Sequence, residues 1–95
     1  MKLSTRRSSF EIKVAFLMAV SQHPVSLTRL CQKVNTSYIT IKNAATFLEK
    51  KGLINLIKVK KYKRIETHAV ITEKGREFLN LCLQLMSFLG GEENA

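Results

Sequence analysis

The chain lacks tryptophan and has one proline, four glycines and two cysteines in 95 residues, so its loops are expected to be few and short. Cys31 and Cys82 stand far apart with no CxxC spacing, which excludes a zinc site and a secreted disulfide framework. Both read as small core hydrophobes, with a disulfide or redox role for Cys82 at a twofold axis as the sharper alternative. No run approaches the roughly 18 apolar residues of a membrane span. No small-residue cleavage site follows the basic start Lys2, Arg6 and Arg7, so no signal peptide is read and the cytoplasm is the expected compartment.

The chemistry of catalysis is also missing. His23 and His68 are isolated, with no cluster of Asp, Glu or Cys around them to make a metal site. There is no Ser/His/Asp set, no pair of acid/base carboxylates and no glycine-rich phosphate loop. The reading is therefore no enzyme, no catalytic residues, no metal, no cofactor and no small-molecule substrate.

Acidic residues are scarce. Sixteen Lys and Arg against seven Glu and Asp leave a net charge of +9 and a pI near 10.0. The excess is not uniform: residues 1–72 hold fourteen Lys and Arg against three Glu, a net of +11, and residues 73–95 carry a net of −2. A cationic body of that density favours a polyanionic partner, and the last segment has a different task. Ninety-five residues allow one domain with one modest core.

Ser8-Ser9-Phe10-Glu11 reads as a capping box opening a helix to about residue 20, with Ile12, Ala15, Phe16 and Ala19 inward and Val14, Leu17 and Met18 widening the stripe. Pro24 ends that region, and Val25 is read as a one-residue strand contact. Ser26 caps a second helix over 27–34, with Leu27, Leu30, Cys31 and Val34 inward. Asn35-Thr36-Ser37 turns into a third helix over 38–51, buried through Ile41, Ala44, Ala45 and Leu48 and stopped by Gly52. Strands over 53–60 and 65–71 flank a basic tip at 60–64. Thr72 then caps a fourth helix that Gly90-Gly91 is expected to end near residue 89, and residues 92–95 are expected to fray.

The word Leu48-Glu49-Lys50-Lys51-Gly52-Leu53-Ile54, followed about 20 residues later by Val70-Ile71-Thr72-Glu73-Lys74-Gly75, resembles the winged helix-turn-helix regulators of the MarR and PadR type. It is also similar to small archaeal winged-helix chromatin proteins that dimerise through a C-terminal helix. The resemblance implies a mainly α fold with a small β hairpin (α+β), in the order helix, short strand, helix, helix, hairpin, helix. The domain limits read as a flexible basic arm at 1–8, the winged domain at 9–72, a dimerisation helix at 73–91 and a tail at 92–95.

In that fold the third helix enters the major groove of DNA and the wing touches the backbone. Carried onto this chain, Ser37, Tyr38, Thr40, Lys42, Asn43 and Thr46 face double-stranded DNA from the third helix, and Lys58, Lys60, Lys61, Tyr62, Lys63 and Arg64 from the wing. Thr28 and Arg29 of the second helix and Arg6 and Arg7 of the arm hold phosphates. The fourth helix is apolar around much of its circumference, more than one side of a small core can cover. Phe78, Leu81, Cys82, Leu85, Met86, Phe88 and Leu89 are therefore expected to form a homodimer interface. The function implied is a sequence-specific transcriptional regulator, most readily a repressor and nucleoid-associated. A sequence-neutral architectural DNA-binding protein and a protein-interaction module are the alternatives. No membrane partner is expected.

Overall fold

The computed structural model describes residues 8–94, with side chains through Leu89. The basic arm, including Arg6 and Arg7, lies outside the described residues. The order is α1 (Ser9–Ala19), β1 (Val25–Ser26), α2 (Leu27–Val34), α3 (Tyr38–Lys50), β2 (Ile54–Lys61), β3 (Arg64–Ile71) and α4 (Glu73–Asn94). The expected α+β order is what the chain adopts, with one refinement. The short strand contact at Val25 is a two-residue strand, and it makes the hairpin into a three-stranded antiparallel sheet ordered β1-β3-β2.

Serine opens the first three helices by the same chemistry, satisfying backbone N–H groups that have no partner inside the helix. Ser8 accepts from the Glu11 N–H at 3.1 Å while its own N–H donates to the Glu11 carboxylate at 3.0 Å, completing the capping box. Ser26 accepts from Arg29 at 3.1 Å and Ser37 from Thr40 at 3.2 Å. Asn35, with φ of 62°, turns the chain out of α2.

The core is formed by Phe16, Leu17, Leu30, Ile41, Leu48 and Ile54, all essentially inaccessible to water, with the remaining apolar side chains packed around them. The expected phase of α1 needs correction. Val14, Phe16 and Leu17 are its buried residues, with Val20 buried at its C-cap, whereas Ile12, Ala15 and Ala19 are only half-buried and Met18 is exposed. The helix touches α2, α3 and α4, so it is covered from several sides and no single stripe defines its inside.

The two sequence words that carry the resemblance meet in space. α3 closes in a Schellman turn: the Leu53 N–H donates to the Leu48 carbonyl at 2.9 Å and the Gly52 N–H to Glu49 at 2.9 Å. Gly52 holds φ of +78°, which a residue without Cβ adopts without strain. The Thr72 hydroxyl donates to the Gly52 carbonyl at 2.7 Å and accepts from the Gly75 N–H at 3.0 Å, while the Thr72 N–H donates to Leu53 at 3.0 Å. Lys74 Nζ adds a bond to the Lys51 carbonyl at 2.9 Å. A Cβ on Gly75 would lie 2.1 Å from the Leu53 carbonyl oxygen, so α4 passes the end of α3 at a distance only glycine permits.

α4 does not stop at Gly90-Gly91 but continues to Asn94. Glycine weakens a helix by about 1 kcal/mol relative to alanine without removing a hydrogen bond, and no proline follows to force an exit.

Gly75→Ala is expected to destabilise the fold by more than about 2 kcal/mol, because backbone must move to admit the methyl group. Gly52→Ala is expected to cost nearer 1 kcal/mol, since its Cβ meets only the Lys74 side chain at 3.8 Å and the cost is that of the positive φ. Urea midpoints of the two variants check the order; a milder Gly75→Ala contradicts the close approach.

Candidate nucleic-acid interface

Each residue of α3 advances about 100° around its axis, so the buried positions Ile41, Ala44, Ala45 and Leu48 assign the opposite side to Ile39, Asn43, Thr46 and Lys50, flanked by Lys42. All five are exposed. Of the six helix residues expected at the site, Lys42 and Asn43 present free polar ends on this side. Ser37 is occupied as the N-cap, its hydroxyl also donating to Thr40 Oγ1 at 3.0 Å, and Thr40 is half-buried. Thr46 donates to the Lys42 carbonyl at 3.0 Å, which leaves its methyl and lone pairs outward. Tyr38 is half-exposed on the flank that faces α2.

Ile39 and Lys50 were not among the expected site residues. Ile39 is 71% exposed, in line with Asn43 one turn later. Stepping four residues either way from Asn43 and Thr46 finds both positions. Ile39 carries no polar group to mark it as a contact, and Lys50 lies in the last turn, where a cation also favours the negative end of the helix dipole.

The wing is β2 and β3 beyond the core. Their register runs from Ile54 opposite Ile71 at the base to Lys61 opposite Arg64 at the tip, leaving Tyr62 and Lys63 as a two-residue turn. Tyr62 is fully exposed and holds φ of 52°, the positive value such hairpin turns require at their first position. Lys60, Lys61 and Lys63 are exposed, and none forms an ion pair among the described residues. Lys58 donates to Thr67 Oγ1 across the strands at 2.9 Å. Arg64 is partly neutralised by Glu66 at 3.1 Å, so it is a weaker free cation than its neighbours.

Thr28 and Arg29, exposed at the start of α2, converge with Tyr38 of α3 and Arg64 of the wing on one open cleft of about 420 Å3. β1 pairs with β3 only at His68 and Ala69, so β3 is left unpaired on that side from Arg64 to Thr67, and this free edge forms the cleft wall opposite α2. Two consecutive helices and a strand of the later hairpin thus share one surface.

Glu66 is the acidic member of this surface. Its carboxylate lies 3.1 Å from His68 Nε2. That hydrogen bond, aided by the charges of Lys61 and Arg64, holds its pKa below the ordinary carboxylate value against the opposing effect of partial desolvation. A depressed folded-state pKa means that the stabilisation is present above the unfolded pKa and is lost as pH falls through the folded one. Glu66 is expected to titrate below an ordinary glutamate in a carboxyl NMR pH series, and His68→Ala to move it back up. An unshifted Glu66 in that variant contradicts the assigned cause.

On α4, Leu79 and Cys82 are buried in the protein's own core and Phe78 and Leu83 are half-buried. Cys82 therefore does not lie on the free face with the other expected interface residues. Burial also pushes its thiol pKa up, which disfavours the thiolate that disulfide exchange needs. Leu81, Leu85, Met86, Phe88 and Leu89 remain exposed. Among the described residues no helix is long and apolar enough to cross a membrane, and no group of three His, Cys, Asp or Glu is placed to hold a metal.

Comparison with known proteins agrees with this fold. No curated protein matches the chain in sequence. Among solved structures, the transcriptional regulator BldR from Sulfolobus solfataricus is 30% identical with a TM-score of 0.81, over 87% of this chain and 59% of that one. This chain thus spans little more than half of BldR's length. A PadR family transcription regulator from Clostridium difficile R20291 shares the fold at 17% identity and TM-score 0.81, covering 87% of this chain and 94% of that one. PadR of Bacillus subtilis, solved in complex with operator DNA, shares it at 16% identity and TM-score 0.71, over 77% and 46% of the two chains. The family profile described as "Winged helix-turn-helix" matches residues 6–89, almost the whole sequence, and the chain belongs to that family.

Proposed function

We propose that the protein is a sequence-specific regulator of transcription that binds double-stranded DNA as a homodimer and represses by occluding a promoter. The observation that carries this reading is the convergence of Thr28 and Arg29 of α2, Tyr38 of α3 and Arg64 of the wing on one cleft, on elements that also expose Lys42, Lys60, Lys61 and Lys63. On such a surface the lysines neutralise phosphates, and release of counterions drives affinity. The outer line of α3 faces base edges, with Asn43 suited to a bidentate bond to adenine N6 and N7. Tyr38, Arg29 and Thr28 hold the flanking backbone.

The Bacillus PadR structure on operator DNA supports this use of the fold. The exposed apolar side of α4 supports a twofold dimer, which sets two copies of α3 at half-sites about one DNA turn, roughly 34 Å, apart.

Fluorescence anisotropy with a random duplex and one from upstream of the gene, at about 50 and 200 mM salt, tests the reading. Preference for the upstream duplex that persists at the higher salt is expected. Equal binding that collapses with salt indicates an architectural role, and absence of binding overturns the proposal. Lys61→Ala is expected to weaken binding to all sequences and lower the salt slope by about 0.9. Asn43→Ala is expected to lose about 1–3 kcal/mol of discrimination at one position; retained base preference contradicts α3 as the reading helix.

A further inference from the structure

Ile39 is the most exposed large apolar side chain of α3, at 71%, and it stands in the first turn of the helix. Its phase excludes it from the core, since Ile41, Ala44, Ala45 and Leu48 bury the other side. It takes no part in opening the helix, because the Ser37 hydroxyl supplies the cap. Isoleucine is a weaker helix former than alanine, and here its apolar surface is left in water. Stability of the fold therefore gives no reason for a large branched apolar side chain at this position.

The neighbours of Ile39 define what it can meet. Lys42 and Asn43 follow it at three and four residues, with Cβ atoms about 5–6 Å away on the same side of the helix. Both are exposed, and the Thr46 hydroxyl beyond them is spent on the Lys42 carbonyl at 3.0 Å. The outer line of α3 thus presents an apolar group in its first turn and an amide one turn later. In the major groove, base pairs offer hydrogen-bond donors, acceptors and one apolar group, the C5 methyl of thymine. An isoleucine against any other base edge strips water from polar atoms and puts nothing in its place. The first turn of a reading helix is also the part that contacts base edges.

We propose that Ile39 is a specificity-determining residue that selects thymine by packing on its 5-methyl group, close to the base pair read by Asn43. The proposal rests on α3 as the reading helix and deepens that reading by naming a base and the group recognised. Ile39 and Asn43 are four residues apart, about 6 Å along the axis. Base pairs are stacked about 3.4 Å apart, so the two side chains address pairs within two steps of each other. With Asn43 on adenine, the centre of each half-site is built of A·T pairs. The Ile39 contact depends on exclusion of water from apolar surface, so it is insensitive to salt, unlike the contacts of the wing lysines.

Replacing thymine by deoxyuridine removes the methyl group and keeps the base-pairing edge. Anisotropy titrations of the upstream duplex with and without this substitution therefore isolate the contact. Wild type is expected to bind the deoxyuridine duplex about fourfold more weakly for each thymine it packs, the worth of one buried methyl group. Single substitutions along the duplex are expected to confine the loss to within two base pairs of the position where Asn43→Ala loses discrimination. Ile39→Ala is expected to bind the thymine and deoxyuridine duplexes equally with an unchanged salt slope, and Ile39→Val to keep part of the difference. Circular dichroism is expected to show both variants folded as wild type, since the side chain lies outside the core. A wild type that prefers the upstream duplex yet ignores the methyl group overturns the proposal and leaves the regulator reading standing. An Ile39→Ala variant with the wild-type ratio also overturns it, by moving the methyl contact to another residue such as Thr46. A wild type that does not distinguish the upstream duplex from the random one overturns the regulator reading and this proposal together.

Discussion

The contact on which the architecture depends is the meeting of the Gly52-Leu53 turn with the Thr72-to-Gly75 turn. One hydroxyl, Thr72 Oγ1, ties the end of α3 to the start of α4, and the Leu53 carbonyl sits where any side chain on residue 75 would have to be. The two turns are also the base of the hairpin, since β2 begins one residue after Leu53 and β3 ends one residue before Thr72. The exit of α3, the root of the wing and the direction of α4 are therefore set together. A change here moves the wing relative to α3 and α4 relative to both, although no residue of the junction lies on the outer line of α3 or in the wing turn.

From that junction two protrusions of opposite character extend. The wing is cationic and polar, with little burial beyond its root, and it tolerates like charges because the side chains are solvated and Glu66 neutralises part of the charge near Arg64. α4 is apolar on two sides. One side, through Leu79 and Cys82, completes the core, and the other is left exposed by the described residues. A free energy of burial that one copy cannot realise is available to a pair of copies, and this is the physical basis of the proposed dimer.

Much of this was legible in the sequence because the signals are local. Serine caps, the Pro24 break, the positive-φ position at Gly52 and the apolar period of α2 and α3 depend on residues within one or two turns of one another, and they place the elements to within a residue or so. The end of α4 differs from the expected stop because a Gly-Gly pair lowers helix propensity without forbidding the helix. The phase of α1 is not legible in the sequence because a helix contacted by three others is buried on more than one side, so no single apolar stripe marks its orientation.

The sequence by itself determined the order of elements, the excess of cationic charge ahead of α4 and the surplus of apolar surface on α4, since each is a sum or a period along the chain. Only the tertiary structure decided which residues share a surface. It brought Arg29, Tyr38 and Arg64 to one cleft, turned Cys82 into the core and gathered Lys13, Lys51 and Lys74 around one groove. These are juxtapositions across tens of residues, fixed by how helices and strands pack and by a glycine contact that no local pattern encodes.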